Sequence, residues 1–261
     1  MKKATLLPTL LKQLRLPTVK KLWEEESIKA IEEGWHPSYY LQVLCEYELS
    51  HRDNRRLKRH MAEAKLPKGK TLETFDFETV PKLNKTQINA FGSGEIWIEN
   101  GRNLLMFGPS GTGKTHLAAA IGEKLIISGY RVLFNRTTEL VQKLQEAKKN
   151  LTLPSALEKL SKYDCLILDD FGYAPKNQEE TNVLFELICE RYETKSLLIT
   201  SNQSFVEWDK IFMDKAMAVA AADRLVHHAT IIEVEAESYR RQAALKQLEQ
   251  NKKEKALNQQ E

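Results

Sequence analysis

The chain has 261 residues, 42% of them hydrophobic, enough to bury a sizeable core in one large domain or two modest ones. The formal charge is a mild +3, but residues 1–70 hold 15 Lys and Arg against 9 Asp and Glu, whereas the remainder holds 24 against 27. There is no apolar run of 18 residues, no signal-peptide pattern after Met-Lys-Lys and no C-x-x-C spacing among Cys45, Cys165 and Cys189, so the expectation is a cytoplasmic protein with no membrane contact, disulfide framework or zinc module.

Residues 1–66 read as helical, with breaks near Pro17 and across Gly34 to Pro37. Leu6, Leu7, Leu10, Leu11 and Leu14 recur at helical spacing, and Pro17-Thr-Val opens a second helix whose apolar side carries Trp23, Ile28 and Ile31. A third helix from Pro37 is expected to turn Tyr40, Leu41, Leu44, Cys45 and Leu49 inward, completing a small all-α bundle over 1–68. This helix then becomes charged, and Arg52, Arg55, Arg56 and Arg59 fall three or four apart. Such a stripe either tracks phosphates or is a solvated helix face. His36, His51 and His60 have no ligand spacing with any cysteine and are expected on the surface.

Lys65-Leu-Pro-Lys-Gly-Lys-Thr71 is short, basic and broken by Pro and Gly, as a connection to a second domain over 69–245 would be. The aromatics of Thr71-Leu-Glu-Thr-Phe-Asp-Phe77 either line an adenine pocket or seal the edge of that domain. A helix over Lys85 to Ile98 leads to Asn103-Leu-Leu-Met-Phe107, a short apolar run of the kind found in fully buried parallel strands.

Gly108-Pro109-Ser110-Gly111-Thr112-Gly113-Lys114-Thr115 follows, and it fits the phosphate-loop pattern G-x-x-x-x-G-K-[ST] at every fixed position, between a predicted strand and a predicted helix. Glycines let consecutive N–H groups converge on phosphates, helped by the positive end of the next helix. Lys114 would reach the β- and γ-phosphates, and the Thr115 hydroxyl is suited to Mg²⁺. The pattern therefore predicts a nucleoside triphosphate site with ATP and Mg²⁺ as cofactors.

Beyond it, Arg131 to Asn135, Cys165 to Asp169, Ser196 to Thr200 and Thr230 to Val234 read as strands between helices, the signature of a parallel sheet covered on both faces in an α/β fold. Cys165 is a small core residue there. Leu166-Ile-Leu-Asp-Asp170 delivers Asp169 toward the metal and Asp170 as general base for the attacking water. Asn202 ends the next strand, where it orients that water or simply forms a turn. Arg224 closes an apolar helix and either neutralises phosphoryl charge in a neighbouring subunit or pairs with Asp223 or another nearby acid of its own chain. His227 and His228 are expected to be structural or solvent-facing, because adjacent residues on one helix cannot both face one metal. Arg240 and Arg241 stand where some such ATPases place a second phosphate-sensing arginine, and 246–261 reads as a charged, disordered tail.

The order phosphate loop, Leu-Asp-Asp, Thr-Ser-Asn and Asp-Arg-Leu resembles an AAA+ P-loop ATPase. Gly-Lys-Thr-His-Leu-Ala118, Asp-Asp-Phe-Gly-Tyr173, Glu190-Arg-Tyr-Glu, Ile199-Thr-Ser-Asn202 and Asp-Arg-Leu-Val-His-His228, with Thr71 to Phe77 in front, resemble the IstB-like ATP-binding proteins, relatives of the DnaC helicase loaders. The resemblance implies nucleotide binding by Gly108 through Thr115, metal and hydrolysis at Asp169 and Asp170, sensing by Asn202 and a trans-acting Arg224. It also implies a regulator that oligomerises on target duplex DNA with ATP, as a ring or a helix, and serves the transposase of its insertion sequence. Residues 1–68 would then contact DNA or a partner. The DnaC-like helicase loader is the alternative. Under the same resemblance Lys143, Lys148 and Lys149 join the N-terminal arginines as DNA contacts, since Thr138 to Asn150 would extend toward a ring interior.

Overall fold

The computed structural model describes residues 6–172, 177–236 and 238–239. The chain divides into two compact units between Arg59 and His60.

In the N-terminal unit, α1 spans Leu7–Gln13, α2 Pro17–Glu32, and α3 begins at Pro37 and runs to Ala64. Pro17 occupies the first turn of α2, where a missing N–H costs no hydrogen bond. The N–H groups of Thr18 and Val19 that this turn leaves over are taken by Glu48 Oε2, at 2.8 and 3.2 Å. Burial of Glu48 raises its pKa, but these two N–H donors and Arg52 outweigh it and hold the carboxyl below its ordinary value. Leu11, Val19 and Leu44 form the core, flanked by Leu7, Leu16, Leu22, Trp23 and Tyr40.

The inward face of α3 differs in part from the expected one. Leu44 and Glu48 are buried and Tyr40 is half-buried, a row spaced by four, whereas Leu41, Cys45 and Leu49 are exposed. Tyr40 and Leu44 face inward as expected, whereas the exposed Leu41, Cys45 and Leu49 lie one residue further on, about 100° around the helix. Ile28 and Ile31 of α2 are exposed as well, because each helix of so small a unit buries only a narrow stripe. His60, expected on the surface, is buried, as is Ala64 one turn later.

The second unit is built on a sheet of β1 (Asn103–Phe107), β2 (Val132–Arg136), β3 (Cys165–Asp169), β4 (Ser196–Ser201) and β5 (Ala229–Glu233). The order is β2-β3-β4-β1-β5 with every pairing parallel. The helices are α4 (Lys85–Ser93), α5 (Lys114–Ile127), α6 (Thr137–Lys149), α7 (Leu153–Ser161), α8 (Gln178–Arg191) and α9 (Lys215–Val226). Strand residues alternate between faces with period two. Leu105, Phe107, Leu166, Leu168, Leu197 and Ile199 pack with apolar residues of α6, α8 and α9. Ile167, in the opposite phase, meets Gly122 of α5.

Two elements differ from the sequence pattern. The helix expected over 85–98 ends at Ser93, because Gly94 turns left-handed at φ +83° and Trp97 folds back so that its Nε1–H donates to Phe91 O. The α7 helix is an addition; Pro154 sits in its first turn, where its missing N–H costs no hydrogen bond.

Buried polar groups fix the lower ends of the strands. Asn103 donates through Nδ2 to Leu225 O and accepts from Leu197 N–H, tying β1 to α9 and β4. Arg191, 1% exposed, donates to the carbonyls of Leu160, Tyr163, Asp164 and Ser196.

Candidate functional site

In a parallel sheet the strand ends release loops over one edge, and reversed strand order opens a crevice there. The β1 to α5 loop sits in that crevice. Gly108 has φ +150°, and a Cβ on it would lie 2.2 Å from Val234 O, so the loop and the exit of β5 pass too closely for any side chain. Gly113, φ +95°, would likewise meet the Phe75 ring at 2.7 Å. Thr112 Oγ1 donates to Pro109 O, closing the turn. The Lys114 ammonium is 2.7 Å from both Gly108 O and Pro109 O, held across the loop at the start of α5.

β3 carries its terminal carboxylate to the same place. Asp169 is 2% exposed; the Thr200 hydroxyl donates to its Oδ1 at 2.6 Å, and the Thr115 hydroxyl hydrogen-bonds it as well. Burial pushes the Asp169 pKa up, the Asp170 charge adds to this, and the two threonines only partly offset it. Thr200 also accepts from Asp170 N–H at 3.1 Å. Asp170 turns left-handed at φ +56°, an uncommon conformation for a non-glycine residue. A buried carboxylate beside a threonine hydroxyl is the hard oxygen set that suits Mg²⁺.

These groups border a cleft of about 430 Å³. Ser110 through Thr115, Asp170 and Asn202 line its phosphate side. Thr74, Phe75, Asp76 and Thr79 line the other, with Lys70, His116, Ala236 and Tyr239 completing it. Phe75 is braced edge-on by Phe77 at 4.9 Å and by His116 at 5.3 Å. His116 Nε2 lies 2.9 Å from Thr71 O and 3.1 Å from Thr74 Oγ1, tethering the aromatic segment to α5. Of the two readings of Thr71 to Phe77, the lining of a pocket applies to Phe75. The chain after Glu233 returns to the loop, with Val234 N–H donating to Phe107 O and Tyr239 N–H to Gly111 O.

Lys114, Thr115, Asp169, Asp170 and Asn202 are thus brought together. Arg224 does not line this cleft: its Nη1 donates to Ala220 O and its guanidinium lies 5.3 Å from the centre of the Phe185 ring. Arg240 and Arg241 fall outside the described residues. Thr200, His116 and Tyr239 join the site without having been singled out from sequence as its members. Thr200 had a signal, since a hydroxyl-bearing residue at the end of an otherwise apolar strand next to the Asp169 strand has little apolar purpose.

The candidate DNA-contacting residues are exposed, but several have local partners. Arg52 donates to Glu48 and to Arg15 O, Arg56 pairs with Asp53 at 3.2 Å, and Lys148 with Glu186 at 2.8 Å. Arg55, Arg59, Lys143 and Lys149 are exposed too. Arg52 and Arg55 share a groove with Lys12, Arg15 and Lys20, three cations that helical spacing along α3 could not reveal. At the other end of α9 the helix stops at Val226, so His227 and His228 are not consecutive helical residues; both are exposed, as expected, but their rings lie 3.9 Å apart.

No helix among the described residues is long and apolar enough to cross a membrane. The model of the family described as IstB-like ATP binding protein matches residues 9–247. The chain is similar to an insertion sequence ATP-binding protein of Sinorhizobium fredii (strain NBRC 101917 / NGR234), 56% identical over 236 residues that cover 90% of this chain and 79% of that one. It is also similar to the ATP-binding protein of insertion sequence IS21 from Pseudomonas aeruginosa, 39% identical over 204 residues, 77% of each chain. Among solved structures, AMPPCP-bound DnaA from Aquifex aeolicus matches with a TM-score of 0.55 over 71% of this chain and 56% of that one, a likeness of fold at 21% identity. With its phosphate loop on a parallel AAA+ sheet and the match spanning both units, this chain belongs to the IstB-like ATP-binding proteins.

Proposed function

We propose that the protein hydrolyses ATP and uses the nucleotide state to control its oligomerisation on duplex DNA, where it recruits or stimulates the transposase of its insertion sequence. The observation that carries the ATPase reading is the convergence of Lys114, Thr115, Asp170 and Asn202 on one cleft, with Asp169 hydrogen-bonded to Thr115 just behind it. The insertion-sequence relatives support the transposition context.

In this reading the N–H groups of Gly108 to Thr115 cradle the phosphates and Lys114 offsets charge on the β- and γ-groups. Bound through Thr115 and Asp169, Mg²⁺ would neutralise the charge developing between those groups. Asn202 orients a water, Asp170 takes its proton as the water oxygen bonds to the γ-phosphorus, and the bond to the bridging oxygen breaks to leave ADP and phosphate. Arg224, outside the cleft of its own chain, acts on a neighbour's phosphates. Residues 1–68 form a DNA- and partner-interaction domain, 69–245 the ATPase and 246–261 a charged tail. The groove of Lys12, Arg15, Lys20, Arg52 and Arg55 follows the duplex backbone, with Lys143, Lys148 and Lys149 as further phosphate contacts.

The test is sizing with and without ATP, on duplex and on single-stranded DNA, followed by ATPase assays with the neighbouring transposase. Assembly on duplex with ATP is expected. Lys114→Ala should lose both, whereas Asp170→Asn should assemble while hydrolysing about 10² to 10⁴ times more slowly. Unchanged assembly and duplex affinity with and without nucleotide would sink the proposal. A preference for single strands together with binding to a hexameric helicase would support the helicase-loader alternative.

A further inference from the structure

Away from the nucleotide cleft, the turn after α8 and the end of α9 bring Glu193, His227 and His228 together, with one ligand atom from each lying within 4.8 Å of the others. The backbones that present them are tightly placed. Glu193 is left-handed, φ +57°, and packs so closely on Gly101 that a Cβ there would meet the Glu193 carbonyl carbon at 3.0 Å. His227 caps α9, its N–H donating to Asp223 O, and Ala229, the residue after His228, pairs with Asn103 in the sheet. The turn and the helix end are therefore held in register by the fold, while the three side chains stay exposed.

Tyr192 adds support from behind. Its hydroxyl lies 2.9 Å from His227 Nδ1 and also hydrogen-bonds Glu193. The hydroxyl has one proton; given to the carboxylate, it leaves the oxygen to accept from Nδ1–H. That tautomer puts the lone pair of His227 on Nε2. A ligating histidine whose second nitrogen is held by a hydrogen-bonding partner is the common arrangement in metal sites. His228 Nε2 is 3.7 Å from Glu193 Oε1, and the two imidazole centroids are 3.9 Å apart.

We infer that Glu193, His227 and His228 form a surface site for one divalent transition-metal ion of the zinc type, bound through two imidazoles and a carboxylate. Two nitrogens and one oxygen, with a fourth position open to water, match a three-ligand tetrahedral zinc site. Bonds of about 2.0–2.1 Å place such ligands roughly 3.3 Å apart, so rotation of the side chains closes the set without moving the strands. The bound ion would join the turn after α8 to the end of α9, three residues beyond Arg224. Mg²⁺ prefers all-oxygen ligands and would not compete there.

The experiment uses the untagged full-length protein saturated with ATP and Mg²⁺, so that the nucleotide cleft is filled, and titrates it with Zn²⁺ by calorimetry and with Co²⁺ by visible absorption. Wild type should bind one ion per chain and develop tetrahedral Co²⁺ bands. His228→Ala and Glu193→Gln, both exposed changes, should each weaken binding at least tenfold while ATP affinity stays constant. Tyr192→Phe should give a smaller loss. Undiminished affinity in His228→Ala and Glu193→Gln, or Co²⁺ bands that persist in both, would overturn the assignment.

Discussion

Asp169 is held where a carboxylate is least comfortable, 2% exposed and beside a second acid. Its pKa is raised in the folded state, so ionisation costs stability above that pKa, and the cost vanishes as pH falls through it. Asp169→Asn should therefore raise the thermal midpoint of the nucleotide-free protein at neutral pH. The gain over wild type should shrink toward pH 4, while hydrolysis falls by two or more orders of magnitude, on the order of what loss of a positioned charge costs. A melting series across pH in the absence of nucleotide checks it; an unchanged midpoint at pH 7 would contradict the burial argument. Arg191 is the opposite case, a buried cation whose hydrogen-bond acceptors are all backbone carbonyls. Burial draws its pKa down to about 10, which leaves it protonated at neutral pH, and four carbonyls depend on it. Arg191→Ala should cost roughly 3–5 kcal/mol, from a cavity plus orphaned acceptors, measured by denaturant unfolding. Arg191→Lys should recover less than half of that, because an ammonium has only three donors and lacks the planar fork.

At the level of elements, the phosphate loop depends on a neighbour distant in sequence. Gly108 lies against Val234, and the pair is fastened by the hydrogen bond from Val234 N–H to Phe107 O at 2.7 Å. Gly108→Ala should push the exit of β5 away from the loop, lowering ATP affinity more than tenfold and stability by about 2 kcal/mol. Fluorescent-nucleotide titration and chemical denaturation together test this, and wild-type affinity would show that the loop tolerates the separation. The threonine at the end of β4 is the other cross-element device. Through Thr200 the position of β4 sets the orientation of both Asp169 and Asp170, so Asn202, two residues on, is tied to the same scaffold.

For the whole molecule, the decisive question is whether the site is shared between subunits. Arg224 lies outside the cleft of its own chain, against Phe185 and Ala220 O. If it serves a neighbour, Arg224→Ala alone should lose most ATPase activity. Mixing it with Asp170→Asn, which keeps Arg224 but hydrolyses slowly, should restore activity in mixed assemblies. Absence of rescue at any ratio would place the arginine's role within its own chain. Duplex affinity offers a second reading at this scale: replacing Lys12, Arg15 and Lys20 together by Gln should flatten the salt dependence by about 0.9 in log–log slope for each phosphate no longer neutralised. A slope equal to wild type would move the DNA surface elsewhere, to α6 for example.

Sequence by itself determined the phosphate loop, the strand and helix on either side of it, and the paired acids at the end of β3. Each of these depends on local chemistry: glycines where φ turns positive, an apolar run of strand length, a helix of period 3.6. In α3 periodicity found Tyr40 and Leu44 but not the edge of the buried stripe, because the packed neighbours, not the spacing, chose Glu48 over Leu41, Cys45 and Leu49. Only the tertiary structure decided the strand order that sets β4 between β1 and β3, since a strand's partners depend on how distant crossovers pack. That order gave Asp169 its threonine bonds and brought Phe75 and Tyr239 to the nucleotide cleft, and the end of α9 that it fixed set Glu193, His227 and His228 side by side.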